Sequence, residues 1–399
     1  MSAGDAGTTG TTGDTGPTAA VPRASTDRGL PADVVRLFLC GDVMLGRGID
    51  QILPSPGDPT LQEGYVTDAR RYVELAEEVN GPIPRPVDPA WPWGDALAAL
   101  QVAAPDVRVI NLETSITRSD RFAPGKAIHY RMSPDNLACL EAVAPDVCTL
   151  ANNHVLDLGR EGLEETLAVL GAAGLRTTGA GHDAAEAWRP ATVPLDGGGR
   201  VLVLSLGAPS SGIPDGWEAS SGRPGVALLG RRLDGEAPRV LDHIQRWRQP
   251  DDLVVVSIHW GSNWGYDVPR EQTRFAHALV DGGVDVVHGH SSHHPRPIEV
   301  YRERPILYGC GDLINDYEGI GGHEAYRSEL RVLYLLDLDR RSGRLIGLRL
   351  LPMQARQLRL HGAAASDIAW LQSTLDRANR PHGTRLTPAT EGQLTLAWT

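Results

Sequence analysis

Lysine is almost absent from this 399-residue chain: among 38 basic residues only Lys126 is a lysine. We interpret the preference for arginine as a coding bias. The 50 acidic residues outnumber the basic ones and give a net charge of −12. Because nucleic-acid binding relies on clusters of lysine and arginine, this balance argues against a nucleic-acid partner.

Cysteine is scarce as well. The four cysteines show no C-x-x-C spacing, the pattern typical of metal and redox sites. Three of them fall in or beside apolar runs, so we expect buried free thiols rather than disulfides. The four are Cys40, Cys139, Cys148 and Cys310.

Long apolar runs are also missing. No run is long enough to span a bilayer, and residues 1–32 lack the apolar core of a secretory signal. These first residues are rich in Gly, Thr and Ala, and we expect them to form a disordered tail. The sequence thus predicts a cytoplasmic protein with no membrane partner.

Five short apolar runs are present, and each ends in polar residues. Rich in Val, Ile and Leu, these runs are typical of buried strands. Ligands of an open α/β sheet bind beyond the carboxyl ends of its strands, so the pattern predicts one assembled site. The runs are Val34–Cys40 before Gly41-Asp42, Val107–Ile110 before Asn111-Leu112-Glu113, Val147–Leu150 before Asn152-Asn153-His154, Leu253–Ile258 before His259, and Val284–Val287 before the histidine cluster at 288–294.

Strands alternate with helical patterns, which predicts an α/β fold with a largely parallel sheet. We expect helices over Arg160–Ala173 and Pro269–Val280, and a strand hairpin over Arg331–Asp337 and Arg344–Pro352. One catalytic domain is expected over residues 33–355. A helical extension is expected to follow it over residues 356–399.

The strand ends supply carboxylate, amide and imidazole groups, which are ligands of divalent cations. Asp42 alone could be a helix cap, and His259 alone could be a core residue. Their convergence with the other strand ends favours metal ligation. The predicted ligands, bound directly or through water, are Asp42, Glu113, Asn153, His259, His290 and His293.

Histidines beside the predicted ligands indicate acid–base chemistry. Asp157 follows His154 closely enough to orient its imidazole through a turn. A later pair of aspartates could orient a histidine of the 293–294 pair, although an Asx turn explains those aspartates equally well. The predicted catalytic residues are His154, Asp157, His293, His294, Asp312 and Asp316.

Aromatic residues lie in or beside the loops of the predicted site. Most tryptophans are core residues, but this clustering suggests a peptide-like or aromatic substrate. The predicted substrate-binding residues are Trp91, Trp93, Asn111, Trp260, Trp264 and Tyr266.

Taken in order, the motifs resemble the CapA-type branch of the calcineurin-like metallophosphatase superfamily over residues 35 to 340. The resemblance implies a two-layer β-sandwich core flanked by helices, with a metal ion at the strand ends. Members are commonly labelled poly-γ-glutamate synthesis proteins. The matching motifs are Gly41-Asp42-Val43-Met44-Leu45-Gly46, Asn111-Leu112-Glu113, Ala151-Asn152-Asn153-His154, His259-Trp260-Gly261, Gly289-His290-x-x-His293 and Tyr308-Gly309-x-Gly311-Asp312.

Two positions depart from the general metallophosphatase pattern. Met44 stands where a histidine is usual, and Asn111-Leu112-Glu113 replaces the usual second metal-bridging motif. A thioether is a poor ligand for a hard cation. We therefore expect one divalent ion, Ca²⁺, Mn²⁺, Mg²⁺ or Zn²⁺, with a hard, oxygen-preferring ion favoured.

The combination of a CapA-like chain with several His/Asp pairs also resembles the metal-dependent peptide epimerase of lasso-peptide biosynthesis. That resemblance implies inversion of the Cα of a C-terminal aromatic residue in a ribosomal precursor peptide. Such a reaction needs two opposed proton carriers, for which His154 and a histidine of the 293–294 pair are the candidates.

Two alternatives stay open. One is phosphoester hydrolysis by a metal-activated water with His154 as the acid. The other is a poly-γ-glutamate or capsule-related accessory protein that binds a polymer or peptide and keeps the metal ion as a structural element.

Overall fold

Two large β-sheets, two small two-stranded sheets and the covering helices form the fold, in a computed structural model that describes residues 31–398. Residues 1–30, which contain most of the predicted disordered tail, lie outside the described residues. The strands are β1 Val34–Val43, β2 Val107–Leu112, β3 Ser115–Ile116, β4 Arg131–Met132, β5 Val147–Thr149, β6 Arg176–Thr178, β7 Ala180–Gly181, β8 Ala191–Pro194, β9 Arg200–Gly207, β10 Gly225–Val226, β11 Asp252–His259, β12 Val286–His290, β13 Ile298–Tyr301, β14 Arg304–Leu307, β15 Asp312–Ile314, β16 Leu330–Asp339, β17 Leu345–Arg356, β18 Arg359–Gly362, β19 Thr384–Pro388 and β20 Leu394–Trp398.

The helices lie mostly between strands, as the alternating pattern predicts. The expected helix over Arg160–Ala173 is α5, and the one over Pro269–Val280 is α8. No helix within residues 31–398 has the length and apolar character needed to cross a membrane. The helices are α1 Gly48–Ile52, α2 Arg70–Asn80, α3 Asp95–Ala103, α4 Ala138–Glu141, α5 Gly159–Ala172, α6 Ala184–Ala187, α7 Glu236–Gln245, α8 Arg270–Asp281 and α9 Ala365–Asn379.

The larger sheet has the order β19-β20-β17-β16-β1-β2-β5-β6, with β15 beside β1 and β18 beside β17. The second sheet has the order β13-β14-β12-β11-β9-β8. Strands β1, β2 and β5 run parallel in the first sheet, and β9, β11 and β12 run parallel in the second. The five apolar runs therefore end at the edges of two sheets rather than of one.

The two large sheets pack face to face, because side chains alternate between the two faces of each strand. In β1, Leu37 and Leu39 enter the core between the sheets, whereas Phe38 faces the helix-covered side. In β11, Val255 enters the same central core and Val256 packs against α7 and α8. Successive side chains of a strand point to opposite faces, so every central strand contributes to two apolar layers. The predicted α/β class, with a two-layer sandwich flanked by helices, is confirmed.

The C-terminal segment differs from the helical extension that we predicted. It contains α9 as expected, but also β18, β19 and β20, which join the larger sheet. Strand β20 pairs with β17 through Arg349 and Leu350. Leu394 and Leu396 of β20 belong to the central core. Residues beyond 356 thus complete the sandwich, because their alternating leucines cover apolar surface that the sheet would otherwise expose.

Candidate metal and acid-base centre

Asp42 lies at the end of β1 and is fully buried. Asn111 Nδ2 donates to its Oδ1 at 2.7 Å, and the backbone N–H of Ser291 donates to its Oδ2 at 3.2 Å. Burial, followed by the negative charge of nearby Asp312, raises the pKa of Asp42. Asn111, which we predicted to bind substrate, instead holds this carboxylate in place.

The glycine before Asp42 is required by a close approach between strands. A Cβ atom at Gly41 would lie 1.5 Å from the carbonyl oxygen of Gly311. The approach places Asp42 and Asp312 side by side on the parallel strands β1 and β15. The Gly-Asp motif therefore positions the carboxylate through backbone packing.

His259 and His290 end β11 and β12, and their backbones are direct partners in the ladder. Their Nδ1 atoms lie 2.8 Å apart. Asp42 Oδ1 lies 3.9 Å from Nδ1 of His259 and 3.8 Å from Nδ1 of His290. The three side chains are buried and form a compact group of potential metal ligands.

Hydrogen bonds beyond the two rings determine which nitrogen carries the proton. His288 Nε2 lies 2.8 Å from the carbonyl oxygen of Cys40, to which it must donate. Its Nδ1 therefore accepts from Ser257 Oγ at 3.1 Å, and Ser257 Oγ in turn accepts from His290 Nε2 at 2.9 Å. This relay leaves Nδ1 of His290 without a proton, so that its lone pair is free.

The same argument applies to His259. Its Nε2 lies 2.8 Å from Asn153 Oδ1 and donates to that oxygen. Nδ1 therefore carries no proton, and its lone pair is free. Burial lowers the pKa of both His259 and His290, so both imidazoles are neutral at pH 7. Two facing lone pairs repel each other unless a cation binds both, as a divalent metal does.

Glu113 supplies a further reason for a cation. Its Oε2 is buried and receives no hydrogen bond from a nitrogen or hydroxyl donor within residues 31–398, and its carboxyl group lies against that of Asp42. Its Oε1 lies 3.8 Å from His259 Nε2. Burial and the charge of Asp42 raise the pKa of Glu113. A divalent ion would supply the missing partner, and this set of oxygen and imidazole donors fits such an ion.

His154 faces the same group from the loop after β5. Its Nδ1 lies 2.6 Å from Asp157 Oδ2, which also accepts from the backbone N–H of Tyr130. Its Nε2 lies 3.7 Å from Glu113 Oε1. Burial, and then the positive charges of Lys126 and Arg47, lower the pKa of His154. The contact with the Asp157 carboxylate favours the neutral tautomer with the proton on Nδ1, which leaves the lone pair of Nε2 free.

Lys126 is a site residue that our sequence analysis missed. Its Nζ donates to Asp157 Oδ1 and to the backbone carbonyl of Asn153, and it lies 3.1 Å from His154 Nδ1. Burial lowers the pKa of Lys126. That the only lysine of the chain stands here was a usable signal, because a compact ammonium group fits among converging acceptors where a planar guanidinium does not.

His293 lies beside the compact group but bonds elsewhere. Its Nδ1 lies 3.0 Å from Asp312 Oδ1, and its Nε2 accepts from Asn263 Nδ2 at 3.0 Å. Burial lowers the pKa of His293, but the charge of Asp312, the hydrogen bond to it and the charge of Asp42 together outweigh burial, so that the net shift is upward. The predicted His293–Asp312 pair is present, with both ring nitrogens engaged.

His294 and Asp316 do not take part in the predicted acid–base pairs. His294 Nδ1 lies 3.0 Å from the carbonyl oxygen of Pro295, and its ring stacks on Tyr326 with centroids 4.6 Å apart. Asp316 accepts from the guanidinium of Arg47 and orients no histidine. Our assignment of these two residues to acid–base roles is corrected: aromatic packing holds one, and an ion pair holds the other.

Of the predicted substrate-binding tryptophans, Trp93 and Trp260 are fully buried core residues, and Trp91 is partly buried and packs against the core. Each indole N–H donates to a backbone carbonyl: Trp91 to Gln357, Trp93 to Cys139 and Trp260 to Tyr308. The large apolar rings fill the interior, which is the commonest use of tryptophan.

Trp264 and Tyr266 differ from those three because they lie at the rim. Trp264 stacks on His323 with ring centroids 3.9 Å apart and lies 5.3 Å from the ring of His293. Tyr266 packs edge-on against His294. These two aromatic residues therefore border the centre without entering it.

A cavity of about 230 Å³ opens onto the metal-ligand group. It can admit a reacting group but not a whole polymer segment. Tyr130 and Tyr317, whose hydroxyls are hydrogen-bonded to each other, form one wall. The cavity is lined by Glu113, Lys126, Ala127, Ile128, Tyr130, Asn153, His154, His259, Asn263, Ser291, His293 and Tyr317.

The chain is similar in sequence to proteins named for capsule or polymer synthesis. The family described as "Bacterial capsule synthesis protein PGA_cap" matches residues 36–317. A "probable polyglutamine synthesis accessory protein" of Mycobacterium tuberculosis is 53% identical over 355 residues, which are 89% of this chain and 93% of the relative. The "PGA biosynthesis protein CapA" of Bacillus subtilis is 28% identical over 264 residues, covering 65% of this chain and 64% of the relative.

Among solved structures, a "novel phosphatase" of Mycoplasma pneumoniae aligns with a TM-score of 0.44 and 12% identity, over 80% of this chain and 94% of that one. Family membership rests on the sequence matches: the family model spans residues 36–317, and the Mycobacterium tuberculosis relative covers 89% of the chain. The chain belongs to the family of the bacterial capsule synthesis protein PGA_cap.

Proposed function

We propose that this protein is a metal-dependent hydrolase that serves as an accessory in the synthesis of a glutamate-derived polymer. The observation that carries the proposal is the pair of facing Nδ1 lone pairs of His259 and His290 beside Asp42, with His154 directed at the same cavity. This arrangement combines a divalent-cation site with a neutral proton acceptor.

Asp42, His259 and His290 would hold the cation, and Glu113 would complete the site through its unpaired Oε2. A divalent ion bound there activates water and stabilises the negative charge that develops on the attacked group. A hard ion such as Mn²⁺ is our first choice because the site includes two carboxylates.

His154 has the geometry of the proton carrier. Its Nδ1–H is fixed by Asp157, so that Nε2 can take a proton from the attacking water and return it to the leaving group. The charge of Lys126 opposes the effect of burial on Asp157, whose pKa is raised to about 6, and it lowers the pKa of His154.

The names of the relatives support the polymer assignment. One is named for polyglutamine synthesis and another for PGA biosynthesis. We infer that the present chain acts on a related, peptide-like polymer or on a phosphoester formed during its synthesis.

We do not propose the peptide epimerase that the sequence suggested. Epimerisation needs two opposed carriers, and His293 has both ring nitrogens engaged, by Asp312 and by Asn263. None of the relatives described above is named for isomerase chemistry, and no such activity is supported by the family match.

Steady-state assays of the full-length protein test the proposal. Protein loaded with Mn²⁺ is incubated with aryl phosphate monoesters and diesters, with poly-γ-glutamate and with polyglutamine. We expect hydrolysis of at least one class that EDTA abolishes and added Mn²⁺ restores. His154→Ala should lower the rate by about 10²–10⁴-fold, while His182→Ala, at an exposed histidine paired with Glu186, should leave it unchanged. Metal-loaded protein that hydrolyses none of these substrates would show that the hydrolase assignment is wrong.

A further inference from the structure

A second pocket, of about 640 Å³, lies directly beside the catalytic cavity. Tyr317 lines both spaces, so the two cavities adjoin at this residue. The second pocket is bordered by the end of α2, by the connection between β15 and β16, and by β16 and β17. It is large enough to hold one residue of a polymer while the next group of the same polymer reaches the metal-ligand group.

A buried arginine forms the inner wall of this pocket. Arg331 is 2% exposed, and its Nη2 donates to Asn315 Oδ1 at 2.7 Å. Its Nε and Nη1 have no hydrogen-bond partner among the described residues, and Nη1 is still 3.7 Å from Asp312 Oδ2. Asp312 offsets the charge of the guanidinium, but at 3.7 Å it lies beyond hydrogen-bond distance of Nη1. Buried N–H groups without a partner are costly, so this wall favours an acceptor.

The acidic residues of the pocket already have donors. Glu318 accepts from Asn80 Nδ2 and from the backbone N–H groups of Gln357 and Leu358. Glu329 is paired with Arg327. Glu324, the third acidic residue of the pocket, is exposed and accepts from the backbone N–H of Gly322, with no ion-pair partner among the described residues.

Arg356 differs from these residues. It is exposed at the pocket and, within residues 31–398, has neither an ion-pair partner nor a side-chain hydrogen bond. Together with Arg331, it leaves the pocket with unused cationic donors, which suit a carboxylate.

The rim of the pocket is apolar. Val79 and Ile320, which are 63% and 48% exposed, are among the few large hydrophobic residues on the described surface, and both border this pocket. An acidic residue with an aliphatic spacer would place its methylene groups against this rim and its carboxylate toward the arginines.

We propose that the pocket is a subsite for a carboxylate-bearing residue of a glutamate polymer, with the adjacent reacting group in the catalytic cavity across Tyr317. The proposal rests on the proposed function and specifies its substrate class. The occupant is a carboxylate of a peptide-like chain rather than free phosphate, because the pocket combines cationic donors with an apolar rim that inorganic phosphate would not use.

Calorimetric titration of the full-length protein with hexa-γ-glutamate tests the subsite. The titration is run on EDTA-treated protein and on His154→Ala, so that binding is measured without hydrolysis. Arg356→Gln and Ile320→Asp should each weaken binding about tenfold or more, the first by removing a charge-assisted hydrogen bond and the second by placing a like charge at the rim. Arg385→Gln is the matched control, because Arg385 is exposed on β19 of the same sheet and lies outside the pocket. The Arg385→Gln variant should bind hexa-γ-glutamate as tightly as wild type.

Binding that survives in the absence of hydrolysis would support the subsite even if the hydrolase assignment fails. The subsite proposal is wrong if both pocket variants bind hexa-γ-glutamate as tightly as wild type. It is also wrong if inorganic phosphate or neutral oligoglutamine competes as well as the acidic peptide. If the metal-loaded wild-type protein hydrolyses no substrate but still binds hexa-γ-glutamate in this pocket, only the proposed function is wrong.

Discussion

Nδ1 of His259 and Nδ1 of His290 face each other at 2.8 Å, each with its opposite nitrogen already committed to a hydrogen bond. The proton positions follow from neighbouring acceptors rather than from the two rings themselves. Because neither nitrogen carries a proton in this arrangement, a cation held by the two rings and Asp42 would relieve the repulsion between their lone pairs. This relationship determines the first two predictions.

Wild-type protein should contain about one equivalent of divalent metal, since the chain offers one compact ligand group within its described part. His259→Ala or His290→Ala should lose tight binding, because each removes one of three convergent ligands. Inductively coupled plasma mass spectrometry after gel filtration measures the content, with His182→Ala as the control. Two tightly bound ions per wild-type chain would contradict the single-ion prediction.

Ser257→Ala should weaken metal binding by about 10–100-fold without removing a ligand. The hydroxyl connects His288 to His290, and its loss frees His290 to place its proton on Nδ1. Competition with a fluorescent chelator measures the affinity. Ser211→Ala is the control, because that buried hydroxyl donates only to the backbone of Ala208. Equal affinities in both variants would mean that the relay does not control the tautomer.

Asp157→Asn should lower kcat by about 10²–10⁴-fold while the metal content stays at the wild-type level. The amide no longer holds the proton on Nδ1 of His154, so Nε2 can no longer accept one. Glu186→Gln alters an equivalent but exposed histidine–carboxylate pair and serves as the control. A rate close to that of wild type would exclude His154 as the proton carrier.

Lys126→Met should reduce the free energy of unfolding by about 3–5 kcal/mol, because it leaves the buried Asp157 carboxylate without its cation. Lys126→Arg should not restore it, since the larger planar group does not fit the same acceptors. Urea unfolding measures both variants. Arg118→Met, which breaks an exposed pair with Asp135, should cost no more than about 1 kcal/mol. A stable Lys126→Met variant would show that this ion pair is dispensable.

The stability contributed by Glu299 should depend on pH. Burial alone would raise its pKa, but hydrogen bonds from His382, Tyr308 and His277 outweigh burial and lower the pKa to about 2. A pKa lowered on folding gives stability that is fully present above the unfolded value of 4.5 and is lost as the pH falls towards 2.

Glu299→Gln should therefore cost about 2 kcal/mol at pH 7 and less at pH 3. Urea unfolding of both proteins at pH 7, 5 and 3 gives the comparison. The test is independent of metal binding, because Glu299 lies on β13, away from the metal-ligand group. A cost that does not change with pH would show that the Glu299 carboxylate has an ordinary pKa in the folded protein.

The sequence determined the strands and the chemistry that follows them. Apolar runs such as Val34–Cys40 and Leu253–Ile258 can be recognised locally, because burial on both faces requires uninterrupted Val, Ile and Leu. The polar residue after each run is equally local, which is why Asp42 and His259 were found. The CapA-type resemblance is confirmed by the family match, because it depends on the order of these same motifs.

Tertiary structure decided which of those residues meet. Two sheets, not one, supply the centre, and the parallel register of β11 and β12 places His259 opposite His290. Neighbouring residues such as His293 and His294 could not be separated by sequence, since one packs toward Asp312 and the other toward Tyr326. The directions of side chains in irregular loops depend on distant partners, and no local pattern encodes them.

The same limit explains what was missed. Lys126 and Ser257 act through residues distant in the chain, and Arg331 reaches its pocket only after β16 packs beside β1. Trp93 and Trp260 lie near site motifs in sequence, yet their rings turn into the core because burying a large apolar surface outweighs proximity. Residue types and strand ends were thus determined by the sequence alone, whereas protonation, partners and access were decided by long-range packing.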